Sequence, residues 1–301
     1  MRQKALVILL TVMCFKGHSV AQSAQATGKA LFHTFMIATN FGSGTTFSID
    51  VDNREYWITA KHVFTGKKTG PAGVFDTKRV QANILSLTGD GNEGHDQHWL
   101  TETFTVIDPG KDIDIVVLVP DHLLLAYQRD SSLKVGSDGI GLGGDCEFLG
   151  FPYGGGWKTQ YQDDKDPNKK EWVWLRFVKH CTPSAQVQQN GIRIWLLDGI
   201  NNEGFSGGPV LYGTGPNQEA FAVISGFYTE PLEVLPAPNP GGRQASSVPP
   251  PPELPGPKPQ EKPKEIVNAN SGFIIAFDIE PAIKAIQNNP IGPLRPDSGP
   301  K

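Results

Sequence analysis

The sequence carries little net charge and has no long apolar run beyond its first residues. Its 301 residues have a formal net charge of -4 and no clustered stripe of Lys and Arg, which argues against a surface that follows nucleic-acid phosphates. No stretch after residue 26 is apolar enough to cross a bilayer. We therefore expect no nucleic-acid partner, and no membrane span once the first segment is removed. With 38% hydrophobic residues, the chain can bury one or two cores.

Residues 1–26 have the pattern of a secretory signal. MRQK is a basic start, residues 5–15 form an apolar run of eleven, and small residues follow, with possible cleavage after Ala21 or Ala26. Eleven apolar residues are too few to span a bilayer. The segment therefore predicts export, either to the periplasm or out of the cell.

Cysteine is scarce. The chain has three cysteines, and Cys14 lies in the signal segment. The remaining two, Cys146 and Cys181, form a candidate disulfide in an exported chain, with two buried free thiols as the alternative. If the strands that carry these cysteines pair, the two side chains face each other, which favours the disulfide.

Sequence patterns for metal or nucleotide sites are also missing. The loop at 90–96 is rich in oxygen ligands but lacks the spacing and final glutamate of an EF-hand, so we interpret it as a solvated hairpin. The glycine-rich residues 139–144 resemble a phosphate loop, but neither Lys-Ser/Thr nor a helical pattern follows. Residues 128–143 are better interpreted as a linker. We expect neither a metal ion nor an organic cofactor.

The chain does contain many short segments rich in β-branched and aromatic residues, separated by Gly, Asp and Asn. The candidate strands are residues 31–38, 45–51, 55–60, 79–87, 99–107 and 115–119, followed by 146–151, 172–181, 185–197, 209–212, 220–228 and 272–279. Many short strands at this spacing predict an all-β barrel or sandwich.

Proline is concentrated in one stretch. Residues 231–266 contain twelve prolines and few aromatics, a composition that favours an extended, disordered segment over a core. Because residues 271–277 read as another core strand, we interpret this stretch as a loop inserted into the second half. It could bind a partner that recognises polyproline, although a spacer is the simpler interpretation. A short helix begins at Pro281, and we expect residues 289–301 to be a flexible tail.

The motif GFSGGPV at residues 204–210 carries possible catalytic chemistry. A serine nucleophile needs a base and a site for the negative charge that develops on the attacked carbonyl. Glycines allow a tight turn that points NH groups toward the Ser206 hydroxyl, with Gly204 and Ser206 as the natural oxyanion-hole donors. The same residues also suit an ordinary surface hairpin. The catalytic interpretation therefore requires a histidine and a carboxylate elsewhere in the chain.

One histidine and one aspartate have informative settings. His62 lies in the apolar segment YWITAKHVF at residues 56–64, at the end of a predicted strand. Asp114 directly precedes the unbroken run IVVL, where an unpaired charge would be costly and a histidine N–H is a suitable partner. Asp112 is the competing carboxylate, and we interpret it as a solvated turn residue.

These signals occur in one order, 52 and 92 residues apart: TAKH at 59–62, DIVVL at 114–118 and GFSGGP at 204–209. The combination resembles the chymotrypsin and trypsin-like serine peptidase family, particularly its bacterial exported members, over roughly residues 35–288. GFP at 150–152 and VISG at 223–226 resemble further family motifs. The resemblance implies two six-stranded antiparallel β-barrels, at 27–130 and 131–288, with the site in the crevice between them.

The resemblance also assigns roles to residues. His62 would take the proton of Ser206 and later give it to the leaving amine, Asp114 would orient the imidazole, and the NH groups of Gly204 and Ser206 would hold the oxyanion. The implied substrate-binding residues are Ile200, Asn201, Asn202, Ser225, Gly226, Phe227 and Gly272. Because none of them is a carboxylate, we expect a preference for small or apolar side chains, with Phe227 narrowing the entrance.

Two residues depart from the family pattern. Phe205 stands where trypsin and its digestive relatives have an aspartate that pairs with a new N-terminus on zymogen activation, so that switch cannot operate here. Lys61 is larger than the alanine that frequently precedes the histidine. The sequence predicts an exported serine endopeptidase that cleaves polypeptides through an acyl-enzyme. A catalytically silent barrel pair that binds peptides or proteins is the alternative, and an esterase-like hydrolase is a third possibility.

Overall fold

The computed structural model describes residues 28–66, 75, 77–88, 96–125, 133–155, 157–162, 170–233 and 266–296. The predicted signal, most of the oxygen-rich loop and residues 234–265 of the proline-rich stretch lie outside the described residues. Within the described ranges, no helix is both long enough and apolar enough to cross a membrane.

The first half forms a closed antiparallel barrel. A short helix, α1 (Gly28–Phe32), leads into it, and a single turn, α2 (His62–Thr65), follows its third strand. The strands are β1 (Thr34–Thr39), β2 (Gly42–Val51), β3 (Arg54–Thr59), β4 (Arg79–Thr88), β5 (Asp96–Ile107) and β6 (Val116–Pro120). Their order around the barrel is β1-β2-β3-β6-β5-β4. All six correspond to predicted strands.

The second half closes in the same way. Its elements are β7 (Lys134–Val135), β8 (Cys146–Gly150), β9 (Lys158–Gln162), β10 (Lys170–Trp174), β11 (Phe177–Gln189), β12 (Ile192–Asp198), β13 (Pro209–Tyr212), β14 (Glu219–Glu233), β15 (Ile266–Asp278) and α3 (Glu280–Asn288), with 3-10 turns at Pro152–Gly155 and Gly215–Asn217. The strands run β13-β8-β11-β12-β15-β14, and pairing of β13 with β14 closes the ring. β7 adds a parallel edge to β14, and β9 and β10 form a separate hairpin. The predicted pair of six-stranded barrels with a short C-terminal helix is confirmed.

The unbroken apolar run in β6 is explained by burial on both of its faces. Val116 and Leu118 pack into the interior of the first barrel. Ile115 and Val117 belong to a second core that includes Val223 of the second barrel and residues of α3. A strand buried on both faces needs apolar residues at every position rather than at alternate ones. This shared core holds the two barrels together.

Two predicted strands are each divided in the structure. The sequence predicts a single strand over residues 185–197, but β11 ends at Gln189 and β12 begins at Ile192. Asn190 and Gly191 form the intervening turn with φ of 53° and 79°. Asn-Gly is the preferred pair for a two-residue hairpin turn because both positions need positive φ. The predicted strand 172–181 is likewise divided between β10 and β11.

The two remaining cysteines are joined in the structure. Cys146 on β8 lies directly opposite Cys181 on β11, with a Cα–Cα distance of 5.1 Å, and the two form a disulfide. The bond links neighbouring strands of the second barrel, and both cysteines are part of its apolar core.

The beginning of the predicted flexible tail is packed against the first barrel, which corrects that expectation. Glu55 donates its backbone N–H to the Pro293 carbonyl at 3.1 Å, and Arg295 contacts Asp50 and Glu55 at 2.6 and 3.1 Å. The side chain of Glu55 is fully buried and accepts a hydrogen bond from Trp57 Nε1 at 2.8 Å, and Arg295 of the tail supplies the cation that this buried carboxylate needs. Residues 297–301 lie outside the described residues.

We expect Arg295→Met to destabilise the fold in a pH-dependent way. Burial already raises the pKa of Glu55, and Arg295 opposes this shift. Without Arg295 the folded-state pKa rises further, so the folded protein binds a proton more readily than the unfolded chain and the variant loses stability as pH increases. Urea unfolding should show a cost of about 3 kcal/mol at pH 8 and a smaller cost at pH 5.

Arg54→Met is the matched control. Arg54 also contacts the tail, through the Gly292 carbonyl at 2.6 Å, but its removal leaves no buried carboxylate behind. Its cost should be about 1 kcal/mol and independent of pH. Equal costs for Arg295→Met at both pH values would contradict the role assigned to Glu55.

Candidate active site

Strand pairing brings His62 and Asp114 together. β3 and β6 are antiparallel, and Thr59 is paired with Val116. Continuing this register places the residues that follow Thr59 beside those that precede Val116, and Lys61 donates its backbone N–H to the Asp114 carbonyl at 3.4 Å. His62 then begins α2. Two residues 52 positions apart in sequence thus become neighbours through β-sheet register alone.

Asp114 holds His62 by two hydrogen bonds, one to its backbone and one to its ring. The backbone N–H of His62 donates to Asp114 Oδ1 at 2.9 Å, and Nδ1 lies 2.6 Å from Oδ2. Ser225 adds a third donor, its hydroxyl lying 2.5 Å from Oδ2. The His62 and Asp114 side chains are only 10% and 12% exposed. A carboxylate bound at Nδ1 leaves the opposite ring nitrogen, Nε2, as the proton acceptor.

Lys61 forms a buried ion pair beside this histidine. Its ammonium is fully buried and lies 2.7 Å from Asp108 Oδ1 and 2.7 Å from the Gly110 carbonyl. Asp108 also accepts the backbone N–H of Gly110 at 3.0 Å. The ion pair therefore connects the segment before His62 to the segment before Asp114. The residue that departed from the family pattern helps to fix the relative position of the two segments.

Ser206 lies in the turn between β12 and β13, tied to the first barrel. Its carbonyl accepts the backbone N–H of Thr45 at 2.8 Å, and the Thr45 hydroxyl donates to the Gly204 carbonyl at 2.7 Å. Gly207 has a φ of 87°, and a Cβ there would lie 2.1 Å from the Thr45 carbonyl oxygen. Only glycine allows this close approach of the turn to β2.

Two NH groups of the turn face away from its internal hydrogen bonds. The Glu203 carbonyl accepts the Tyr153 N–H at 2.5 Å, and the Phe205 carbonyl accepts the Gly208 N–H at 2.8 Å. In a trans peptide the C=O and the following N–H point in opposite directions. The NH groups of Gly204 and Ser206 are therefore turned away from these partners, and neither donates a hydrogen bond to any described residue.

The Ser206 hydroxyl is linked to the other site residues through Ser225. It donates to the Ser225 carbonyl at 3.4 Å, and the Ser225 hydroxyl in turn binds Asp114. Among the described residues, Ser206 makes no side-chain hydrogen bond to the His62 ring. Catalytic hydrogen bonds are often long or poorly aligned before substrate binds.

The predicted pocket residues come from three segments that contact one another. Asn201 is buried and donates from Nδ2 to the Gly226 carbonyl at 3.3 Å, while Gly199 donates its N–H to the Gly272 carbonyl at 2.8 Å. Asn202 is partly buried, and its side chain contacts Lys179 and the Tyr153 hydroxyl. Ile200 is 63% exposed, and Phe227 is partly exposed. The described part of the chain contains no cluster of His, Cys, Asp and Glu suited to a metal ion.

Several site residues were not predicted in these roles. Thr45, Lys61 and Tyr153 act through side-chain and backbone contacts formed between distant segments, and no sequence spacing indicates them. Ser225 was predicted to bind substrate, but its hydroxyl contacts Asp114. The VISG motif pointed to the correct segment without specifying this contact.

No protein-family model matches the sequence, and no curated protein matches it. Solved structures do. The HtrA-type protease AlgW with a tripeptide has 15% identity and a TM-score of 0.49 over 86% of this chain, and the chain spans 60% of the length of that structure. The active form of the Rv3671c protease from M. tuberculosis has 17% identity and a TM-score of 0.41, covering 67% of this chain and 74% of that one. Human heparin binding protein has 14% identity and a TM-score of 0.44, covering 93% and 99%. These likenesses concern the fold, and the chemistry has to follow from the contacts above.

We expect Asp108→Asn to destabilise the protein more than Lys61→Met. The first change removes the carboxylate that lies 2.7 Å from a fully buried ammonium, at a cost of about 3 kcal/mol. The second leaves Asp108, which is 17% exposed and can be solvated. In urea denaturation, the double variant should be more stable than Asp108→Asn alone. A double variant that is less stable than both single variants would contradict the ion pair as the source of the effect.

Proposed function

We propose that this chain is a serine endopeptidase in which Ser206 is the nucleophile, His62 the general base and acid, and Asp114 the residue that orients the imidazole. The observation that carries the proposal is the pair of hydrogen bonds from His62 to Asp114, which leaves Nε2 as the proton acceptor of the ring. A purely structural role for His62 would not explain why this histidine and aspartate lie beside a glycine-rich turn in which the NH groups of Gly204 and Ser206 point away from the internal hydrogen bonds.

The proposed reaction follows from these contacts. The Ser206 hydroxyl turns from the Ser225 carbonyl toward His62 Nε2, gives up its proton and attacks the substrate carbonyl carbon. The oxyanion accepts hydrogen bonds from the NH groups of Gly204 and Ser206. His62 then protonates the leaving amine, and an acyl-enzyme forms. His62 then deprotonates a water molecule, which attacks the ester carbonyl. The acid product is released as the Ser206 oxygen takes this proton back from His62 and becomes a hydroxyl again.

The triad is tested by Ser206→Ala, His62→Ala and Asp114→Asn. The first two should each lower kcat by more than about 10⁴-fold, and Asp114→Asn by about 10⁴-fold, because a wrong imidazole tautomer prevents proton transfer. His180→Ala is the matched control, since His180 has an exposed side chain and contacts Glu147 instead. Peptide hydrolysis and fluorophosphonate labelling of the folded protein report both binding and chemistry. Equal hydrolysis by the wild type and Ser206→Ala would overturn the mechanism.

A catalytically silent barrel pair that binds peptides or proteins is the second candidate. The observation in its favour is that the Ser206 hydroxyl binds the Ser225 carbonyl rather than the His62 ring. A folded wild-type protein that fluorophosphonate leaves unlabelled would favour this candidate. Relative rates on matched amide and ester substrates would separate an endopeptidase from an esterase with the same residues.

For substrate preference we propose small or apolar side chains at the residue before the scissile bond. Ile200 is exposed, no carboxylate lies among the predicted pocket residues, and Phe227 would narrow the entrance. Cleavage of a peptide library should therefore select Ala, Val or Leu over Lys and Arg. A strong preference for Arg or Lys would contradict this pocket.

The first 26 residues resemble a secretory signal, so we propose export to the periplasm or out of the cell. The proposed substrate is a polypeptide. The predicted proline-rich loop overlaps β14 at residues 231–233 and β15 at Ile266, where the chain is paired in the sheet. We propose that a partner that recognises polyproline binds the residues between these two strands.

A further inference from the structure

The segment 200–205 connects β12 to Ser206, the proposed nucleophile, and is contacted by the ammonium of Lys179. Lys179, on β11, donates from Nζ to the Ile200 carbonyl at 2.7 Å and to Asn202 Oδ1 at 2.6 Å. The same ammonium lies 5.4 Å from the centre of the Phe205 ring. One cation therefore contacts the beginning, the middle and the end of this segment.

These contacts continue to the proposed oxyanion hole. Asn202, fixed by Lys179 through Oδ1, donates from Nδ2 to the Tyr153 hydroxyl at 3.0 Å. Tyr153 donates its backbone N–H to the Glu203 carbonyl, which sets the plane of the peptide that carries the Gly204 N–H. A continuous chain of hydrogen bonds thus connects Lys179, through Asn202 and Tyr153, to the peptide that orients the Gly204 N–H, one of the two proposed oxyanion donors.

Packing alone does not account for an ammonium at this position. Phe205 is fully buried and packs edge-on against Phe148 with ring centres 5.0 Å apart, so its side chain offers the cation a ring but no carboxylate. Lys179 forms no ion pair with any described residue, and burial lowers its pKa. A methionine would fill the same volume without the cost of burying a charge. The contacts that only an ammonium makes are those to the Ile200 carbonyl and the Asn202 amide oxygen.

We propose that Lys179 is a positioning residue that holds segment 200–205 in the conformation in which the Gly204 N–H faces the substrate carbonyl. The inference rests on the proposed function of the same site. Lys179 itself does not contact the reacting atoms. Because the oxyanion forms only during the reaction, losing the orientation of its donor weakens transition-state binding rather than substrate binding.

The kinetic test compares Lys179→Met, Asn202→Ala and the double variant with the wild type. Lys179→Met should lower kcat by about 10- to 100-fold while KM changes by less than about twofold. Asn202→Ala should act in the same direction. The double variant should be little worse than the more severe single variant, because both changes interrupt one path. The matched control, Lys284→Met, removes an exposed lysine on α3 and should leave kcat unchanged.

Hydrogen exchange gives a second readout that does not require activity. In the Ser206→Ala background, Lys179→Met should speed exchange of the backbone amides in a peptide covering residues 199–205, while peptides from the first barrel keep their rates. Unchanged exchange at 199–205, or a higher KM with unchanged kcat, would overturn the positioning role. Failure of the proposed function would appear separately, as an absence of hydrolysis and labelling in the wild type.

Discussion

The site depends on the junction at Thr45, where the two barrels meet. This residue of β2 uses its N–H, its hydroxyl hydrogen and its hydroxyl oxygen to bind the Ser206 carbonyl, the Gly204 carbonyl and the Phe151 N–H. All three partners belong to the second half of the chain. Apolar contacts in the shared core hold the barrels together but do not specify direction, whereas these hydrogen bonds fix the turn that carries Ser206 relative to β2.

Register explains why the histidine and the aspartate could be predicted while much of their surroundings could not. The apolar runs that define β3 and β6 are local features of the sequence, and each run fixes a residue at its edge. Once the strands pair, His62 and Asp114 must be close. The ion pair of Lys61 with Asp108 depends on how the loop between β5 and β6 folds against the end of β3, and no pattern within either segment indicates that contact. In the sequence, Lys61 is recognisable only as a replacement of the alanine that frequently precedes the histidine, and nothing there indicates an ion pair.

Other differences come from long-range partners or from a competing local signal. The apolar pattern of residues 185–197 was interpreted as one strand, although Asn-Gly in its middle is a strong hairpin signal. The tail was interpreted as loose because residues 289–301 are polar and rich in proline, and nothing nearby suggests the buried Glu55 that binds Arg295. Its partner lies 240 residues earlier in the chain. Such a contact becomes visible only after the barrel has buried the carboxylate.

Three buried or half-buried cations have a common structural effect. Lys61, Lys179 and Arg295 each bind at least one backbone carbonyl on a segment without regular structure, at Gly110, Ile200 and Leu125 respectively. Lys61 and Arg295 also have carboxylate partners, so removing the carboxylate leaves a buried charge and the fold itself is at risk. Within the described ranges Lys179 has neutral acceptors and no carboxylate partner, so its loss can leave the barrel intact while releasing the segment that it holds. A cation paired only with neutral oxygens is therefore better suited to controlling the geometry of the site than to stabilising the fold.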